Sequence, residues 1–190
     1  MHPLEQAVLG NPVLRPVLER WDEVGLPDGW LIAGAVAQAY WNFAHGLPPA
    51  HGIKDVDIAY FDASDLSEHA EAAHEARINA AFAECAVHFD VKNEARVHLW
   101  YARKFGFPIP PYTSTSHAIS TFPTTATSIG IRPAAAGMEL CAPFGLDDLL
   151  SLIVRPNKAL ISADVYAAKV DRWRPLWPQL KIMAWDEPIR

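Results

Sequence analysis

The chain has 190 residues, a length that fits one domain or a core with a substantial extension, and 51% hydrophobic residues are enough to build that core. Its formal net charge of −6 argues against a general nucleic-acid binder, which needs a concentrated basic surface. Two cysteines that match neither a zinc motif nor a disulfide framework, no leader-like start and no run of 18 apolar residues predict a reduced cytoplasmic protein without a membrane span.

The first 46 residues predict helices, a strand and a further helix. Residues 3 to 20 have helical apolar spacing that is interrupted at Pro12, which predicts two short helices or one broken helix. An apolar run from 30 to 33 ends at Gly34, and an apolar stripe at helical spacing follows it. This pattern predicts a strand, a tight turn at Gly34 and a helix that ends near Gly46.

Two carboxylates head the next apolar run, at Asp55 and Asp57, and the run continues to Phe61. Side chains two positions apart in a strand point to the same face, so both carboxylates should converge on one place. Convergent anions repel each other unless a cation lies between them, and oxygen ligands favour Mg²⁺ or Mn²⁺. An Asp-x-Asp pair by itself also suits a solvated strand end, so its context decides its meaning.

A third acid is predicted on a neighbouring strand. An alanine-rich and glutamate-rich helix should run from Asp65 to about Glu84, where Asp65 begins a capping pattern. Residues 86 to 91 then alternate apolar and polar side chains, which predicts a strand with Asp90 on its polar face. Asn93 should cap a helix that ends at Gly106.

The second half of the chain is predicted to be mixed. A proline-rich loop from 107 to 112 precedes two predicted strands, 125 to 132 and 138 to 143, with a turn near Gly137. A helix should start at Asp147 and be interrupted by Pro156-Asn157. It should then continue over residues 162 to 173.

Three strand carboxylates and a glycine turn suit phosphoryl transfer. Two divalent ions held by shared carboxylates can activate an attacking oxygen and stabilise a leaving one. The helix after Gly34 could offer backbone N–H groups and its dipole to a triphosphate. Arg132, at a strand end, and Lys169, on a late helix, are the candidate phosphate-binding cations, although each could be an ordinary surface charge.

The order of these motifs resembles the polymerase-β-type nucleotidyltransferase superfamily. The amino-acid sequence further resembles a bacterial nucleotidyltransferase-like family of unassigned substrate, and the resemblance lies in residues 30–41, 55–62, 90–98, 142–148 and 154–157. The resemblance implies one α+β domain over residues 1–190. It implies a core of a small mixed sheet with flanking helices at 25–106, and C-terminal strands and helices at 107–190, an α/β extension packed on that core. It also implies Mg²⁺ or Mn²⁺ ligands at Asp55, Asp57 and Asp90, and triphosphate contacts at Gly34 and Ala35.

The first functional hypothesis is transfer of a nucleoside monophosphate from a nucleoside triphosphate to an unidentified acceptor, with release of pyrophosphate. Ala35 replaces the glycine or serine of the superfamily turn and lacks a hydroxyl. This replacement motivates the alternative of a nucleotide-binding or sensor protein with weak catalysis. A metal-dependent phosphohydrolase that uses the same acids is a third hypothesis.

Overall fold

The computed structural model describes residues 2–187, and their elements alternate in the order that the sequence patterns predict for most of the chain. The helices are α1 (Pro3–Leu9), α2 (Leu14–Glu19), α3 (Trp21–Val24), α4 (Ala33–His45), α5 (Glu68–Ala81), α6 (Val97–Phe105), α7 (Thr115–Ile119), α8 (Asp147–Leu150) and α9 (Ala163–Trp173), with 3₁₀ turns at Ala83–Cys85 and Glu94–Arg96. The strands are β1 (Trp30–Ile32), β2 (Asp55–Tyr60), β3 (His88–Asn93), β4 (Gly130–Ala134), β5 (Gly137–Cys141), β6 (Ile153–Val154) and β7 (Lys181–Ile182).

A five-stranded mixed sheet forms the centre of the fold. Its strand order is β3-β2-β1-β4-β5, with β2 and β3 parallel and the other neighbours antiparallel. Helices flank this sheet, so the prediction of an α+β fold with a small mixed sheet is confirmed. Strands β4 and β5, from the second half of the chain, extend the central sheet itself, while β6 and β7 pair separately.

The two faces of the sheet are covered differently. Alternate side chains such as Leu31, Ile58 and Val91 point to one face, where they join the main core with α1, α4 and α5. The opposite face carries a small apolar cluster around Trp30 and Ile32. This second face also carries the acidic residues, because positions 55 and 57 alternate with the buried positions 56 and 58.

Some predicted boundaries are wrong for identifiable reasons. The strand predicted at 125–132 starts only at Gly130, because the amide of Ser128 donates to the carbonyl of Thr124 and closes a turn. The helix predicted from Asp147 ends at Leu150, so the Pro156 pair interrupts no helix. The short elements α3, α7, β6 and β7 were not predicted, because two to five residues are too few to show a period.

The predicted helix caps and the predicted helix interruption agree better with the structure than these boundaries do. Two helices, α1 and α2, lie on either side of the predicted interruption at Pro12. Asn93 accepts from the amide of Ala95 as a cap, and Gly106 ends α6 in a left-handed conformation. Helix α5 begins two residues later than predicted, since Ser67 rather than Asp65 accepts from an amide of its first turn. In the described chain, residues 2–187, no helix is both long and apolar enough to cross a membrane.

Candidate active site

Three carboxylates lie on the same face of the central sheet. Asp55 and Asp57 are two residues apart on β2, and Asp90 on β3 is the direct pairing partner of Asp57. Paired residues of neighbouring strands point to the same side, so the parallel register brings the third acid beside the second. The structure therefore brings together all three acids that the sequence pattern singled out.

The electrostatics of Asp57 reflect this convergence. Burial, the charge of Asp55 and the charge of Asp90 raise the pKa of Asp57 from 3.8 to about 6, while Lys169 and Lys92 oppose that rise. Each cause is a cost of keeping an anion where water is scarce and other anions are near. The site consequently favours a bound proton or a bound cation at Asp57.

Lys92 holds Asp90. The Lys92 ammonium forms ion pairs with the Asp90 carboxylate and, at 3.2 Å, with Glu75 on α5. Residues 2–187 contain no group of three or more Asp, Glu, His or Cys side chains that is already arranged to bind a metal ion. The three carboxylates are nevertheless the hard oxygen donors that Mg²⁺ and Mn²⁺ prefer, provided that Asp90 releases Lys92.

The start of α4 lies next to the acids. A tight turn was predicted at Gly34. Ala33, whose amide donates to Ile129, takes the left-handed backbone conformation (φ 55°), and Gly34 is already helical. In the described part of the chain no side chain caps this 13-residue helix, so N–H groups of its first turn are available to an anion. Ala35 is 2% exposed and packs into the main core. The side chain at position 35 therefore points into the protein and not toward the acids.

A cavity of about 340 Å³ connects the helix start, Asp55, Asp57 and three cations, and we call it the acid pocket. Gly34 lines it, where an added Cβ would meet only the Gln38 amide at 3.3 Å, so the small residue keeps the helix start open. Other residues that line the pocket are Ala33, Gln38, Gly52, Lys54, Asp55, Asp57, Pro123, Thr127, Lys169, Arg172, Trp173, Leu176 and Trp177.

Lys169 and Arg172 lie on the same face of α9, because they are three residues apart. Burial lowers the pKa of Lys169, as does Arg172, while Asp57 and Asp55 raise it. Lys54, immediately before the first acid, is the third cation of the pocket. Sequence reasoning found Lys169 but missed Lys54 and Arg172, although adjacency to Asp55 and the three-residue spacing were readable signals.

Tryptophans fix the position of α9. The ring of Trp41 on α4 packs edge-on against Trp173 at 5.2 Å and Trp177 at 5.3 Å between centroids. The indole N–H of Trp177 donates to Asn42 at 2.7 Å, and Asn42 is completely buried. These contacts hold α9 against α4 and so place Lys169 over the acids.

Arg132 is not brought to the acid pocket. Its guanidinium stacks over Trp30 at 4.0 Å and pairs with Asp28 at 3.2 Å and Glu139 at 2.7 Å. Although β4 carries Arg132 on the same sheet face as the acids, Trp30 and Ile32 lie between them. The sequence-based assignment of Arg132 to phosphate binding therefore has no support in this geometry.

A fourth acid, Glu94, was missed by sequence reasoning. It is 6% exposed, and burial followed by the charges of Glu71 and Asp57 raises its pKa to about 8. A small cavity of about 210 Å³ is lined by Glu94 together with Asp57, Asp90 and Lys92. The position of Glu94 beside the other acids could not be predicted from its spacing to Asp90, because the chain leaves the strand in a 3₁₀ turn at Glu94.

Comparisons with known proteins agree with this arrangement. A family model described as Nucleotidyltransferase matches residues 19–182. A solved NMR structure described as revealing a CCA-adding enzyme head domain is similar over 95% of this chain and 94% of that chain, with 25% sequence identity and a TM-score of 0.77. No curated protein is significantly similar to the chain.

Proposed function

The chain belongs to the nucleotidyltransferase family that matches residues 19–182, and we propose that it moves a nucleoside monophosphate from a nucleoside triphosphate to a hydroxyl-bearing acceptor. The observation that carries this proposal is that Asp55, Asp57 and the open start of α4 line the acid pocket together with three cations, while Asp90 is paired with Asp57 on the neighbouring strand. Carboxylates and cations side by side suit a metal-bound triphosphate better than either group alone.

The acid pocket supports triphosphate binding through three contributions. The first turn of α4 offers N–H groups and the positive end of the helix dipole. Lys54, Lys169 and Arg172 offer positive charge, and the partial burial of Lys169 strengthens its attraction for an anion. Trp173 offers an apolar wall for the nucleoside.

The reaction is an in-line displacement. The acceptor oxygen forms a bond to the α-phosphorus while the bond from that phosphorus to the bridging oxygen breaks, and pyrophosphate leaves with the electron pair. Asp90, at the outer strand of the acid face, would accept the hydroxyl proton of the acceptor directly or through water. Mg²⁺ or Mn²⁺ on Asp55, Asp57 and Asp90 would supply charge neutralisation for the phosphates when bound.

The test is Mg²⁺-dependent release of pyrophosphate from each of the four common nucleoside triphosphates, labelled at the γ-phosphate. The Asp55→Asn variant should lose at least about a hundredfold in rate, because several kcal/mol of charge stabilisation depend on the carboxylates. Asp22→Asn is the matched control, since Asp22 is exposed on α3 and does not line the acid pocket. Equal rates for Asp55→Asn and wild type would refute the proposal.

One observation favours the second candidate, a nucleotide-binding protein with weak catalysis. Asp90 is engaged by Lys92, which competes with a metal ion for the same carboxylate. Such a protein should be stabilised against heat by a nucleoside triphosphate that it does not consume. Stabilisation without pyrophosphate release in the same sample would select this candidate over the enzyme.

A further inference from the structure

A second and larger cavity lies beside the acid face, and we call it the aromatic cleft. Its volume is about 600 Å³, within the range of small-molecule sites. Helix α6, the loop after it and the start of α9 form its walls. Its aromatic lining consists of Trp100, Tyr101, Phe105, Phe107, Tyr112 and Phe122.

Core packing explains only part of the lining of the aromatic cleft: Tyr101 and Tyr112 belong to a small buried cluster, but other large apolar side chains are exposed. Phe105 is 47% exposed, Phe107 41% and Val165 42%, although all three are large apolar side chains. Soluble proteins rarely leave a cluster of such side chains in water around a cavity unless the cluster binds something. The aromatic cleft therefore has the exposed apolar surface of a ligand site.

The aromatic cleft opens toward the reacting groups. It shares Lys92, Glu94 and Phe122 with the small cavity at Asp57 and Asp90. It shares Lys169 with the acid pocket, whose cations suit the triphosphate. A molecule in the aromatic cleft would thus approach the acids from the Asp90 side, opposite the start of α4.

The chemistry of the lining narrows the class of ligand. Aromatic faces such as the stacked pair of Trp100 and Tyr101, 6.2 Å apart, suit a flat ring. A nucleic-acid backbone is a poor match, because Lys92 is already paired with Asp90 and Glu75 and the chain has a net charge of −6. Of the other cations in the lining, Lys104 lies over the Trp100 ring and Lys169 is shared with the acid pocket, and a small ring compound fits this combination of volume and aromatic walls.

We propose that the aromatic cleft binds the acceptor, and that the acceptor is a small planar aromatic compound whose hydroxyl points toward Asp90. This assignment rests on the proposed nucleotidyl transfer, because only then does the site need an acceptor. The hydroxyl oxygen gains the bond to the α-phosphorus, the phosphorus loses pyrophosphate, and the hydroxyl proton passes to Asp90 or water.

The test uses 7-hydroxycoumarin, a planar fluorescent hydroxyl compound, and follows its binding by fluorescence anisotropy. Val165→Trp places a bulky side chain in the aromatic cleft from an exposed position of α9, and its cooperative unfolding checks that it remains folded. Ala167→Trp is the matched control, because Ala167 is exposed on the same helix but does not line the aromatic cleft. Val165→Trp should weaken binding by about tenfold or more, and Ala167→Trp should not.

Three results would overturn the proposal. The first is an absence of binding to wild type, or equal binding to wild type and Val165→Trp. The second is displacement of the coumarin by Mg²⁺ with a nucleoside triphosphate, which would assign the aromatic cleft to the base of the donor. The third is a wild-type dimer in sedimentation that Val165→Trp converts to a monomer, which would assign the aromatic cleft to a second copy.

The nucleotidyl transfer itself is tested separately. Heat stabilisation of wild type by Mg²⁺ with a nucleoside triphosphate needs no aromatic compound, so its absence counts against the donor site of the transferase alone. Coumarin binding with the expected variant pattern, together with undisturbed nucleotide stabilisation of wild type, supports the aromatic cleft as a second subsite.

Discussion

Replacing Asp57 with asparagine should stabilise the protein at neutral pH, although the residue is proposed to act in catalysis. Its pKa is raised from 3.8 to about 6 by burial and by the charges of Asp55 and Asp90. The folded state therefore holds the proton more tightly than the unfolded state does. It follows that the free energy of unfolding decreases as the pH rises from about 4 through 6.

The magnitude follows from the difference between the two pKa values. A difference of about two units at about 1.4 kcal/mol each corresponds to about 3 kcal/mol of destabilisation once Asp57 is ionised. Water reaches part of the side chain, so we expect Asp57→Asn to gain about 1 to 3 kcal/mol at pH 7.5. At pH 4 the gain should be close to zero, because the folded wild type already carries the proton.

The assay is urea unfolding of wild type and Asp57→Asn at pH 4 and pH 7.5, followed by circular dichroism. Asp62→Asn is the opposing control, because the Asp62 carboxylate accepts from the amide and hydroxyl of Ser64 and its pKa is lowered. It should lose stability at pH 7.5. An Asp57→Asn variant that is no more stable than wild type at pH 7.5 would refute the claim that the three carboxylates repel one another.

The effect of Mg²⁺ on the melting temperature is a second test of the same site. If the carboxylates bind it, millimolar Mg²⁺ should raise the melting temperature of wild type at pH 7.5 more than that of Asp57→Asn. Both proteins should be measured at constant ionic strength, so that general screening is the same for each. Equal shifts in wild type and Asp57→Asn would count against Asp57 as a ligand.

Three further substitutions test the pocket and its support. Lys169→Met should weaken binding of a nucleoside triphosphate by about tenfold or more, measured by thermal shift against nucleotide concentration, because it removes a partly buried cation. Gly52→Ala should cost about 1 to 3 kcal/mol in urea unfolding, since φ is +74° there and a Cβ would lie 2.8 Å from the Trp177 ring. Asn42→Leu should cost about 2 to 4 kcal/mol in the same assay, because two loop carbonyls and the Trp177 indole would lose a buried partner. Unchanged values would contradict each expectation in turn.

The acid face shows how far local pattern goes. The alternation of polar and apolar residues around Asp57 and Asp90 predicts both strands and the face that each acid takes, because a strand repeats every two residues. A turn was predicted at Gly34, and its positive φ lies one residue earlier. Glycine is the usual choice for positive φ, but Ala33 adopts it and Gly34 remains helical.

Cations and cavities were harder to predict. Nothing in the sequence near Arg132 distinguishes it from Lys169, yet Arg132 is held by Asp28 and Glu139 while Lys169 faces the acids. Glu94 and the aromatic cleft were not foreseen at all. Their environment depends on α6 and on the segment after α7, which approach each other only in the folded chain.

The sequence by itself determined the longer elements and the face of each strand acid, because φ/ψ preferences and side-chain periodicity act over a few residues. The tertiary structure alone decided that Asp90 pairs with Asp57 and that Lys169, 112 positions along the chain from Asp57, lies beside them. The packing of Trp41 against α9 fixes that second arrangement. Such packing depends on the shapes of side chains distant in sequence, and no local pattern contains that information.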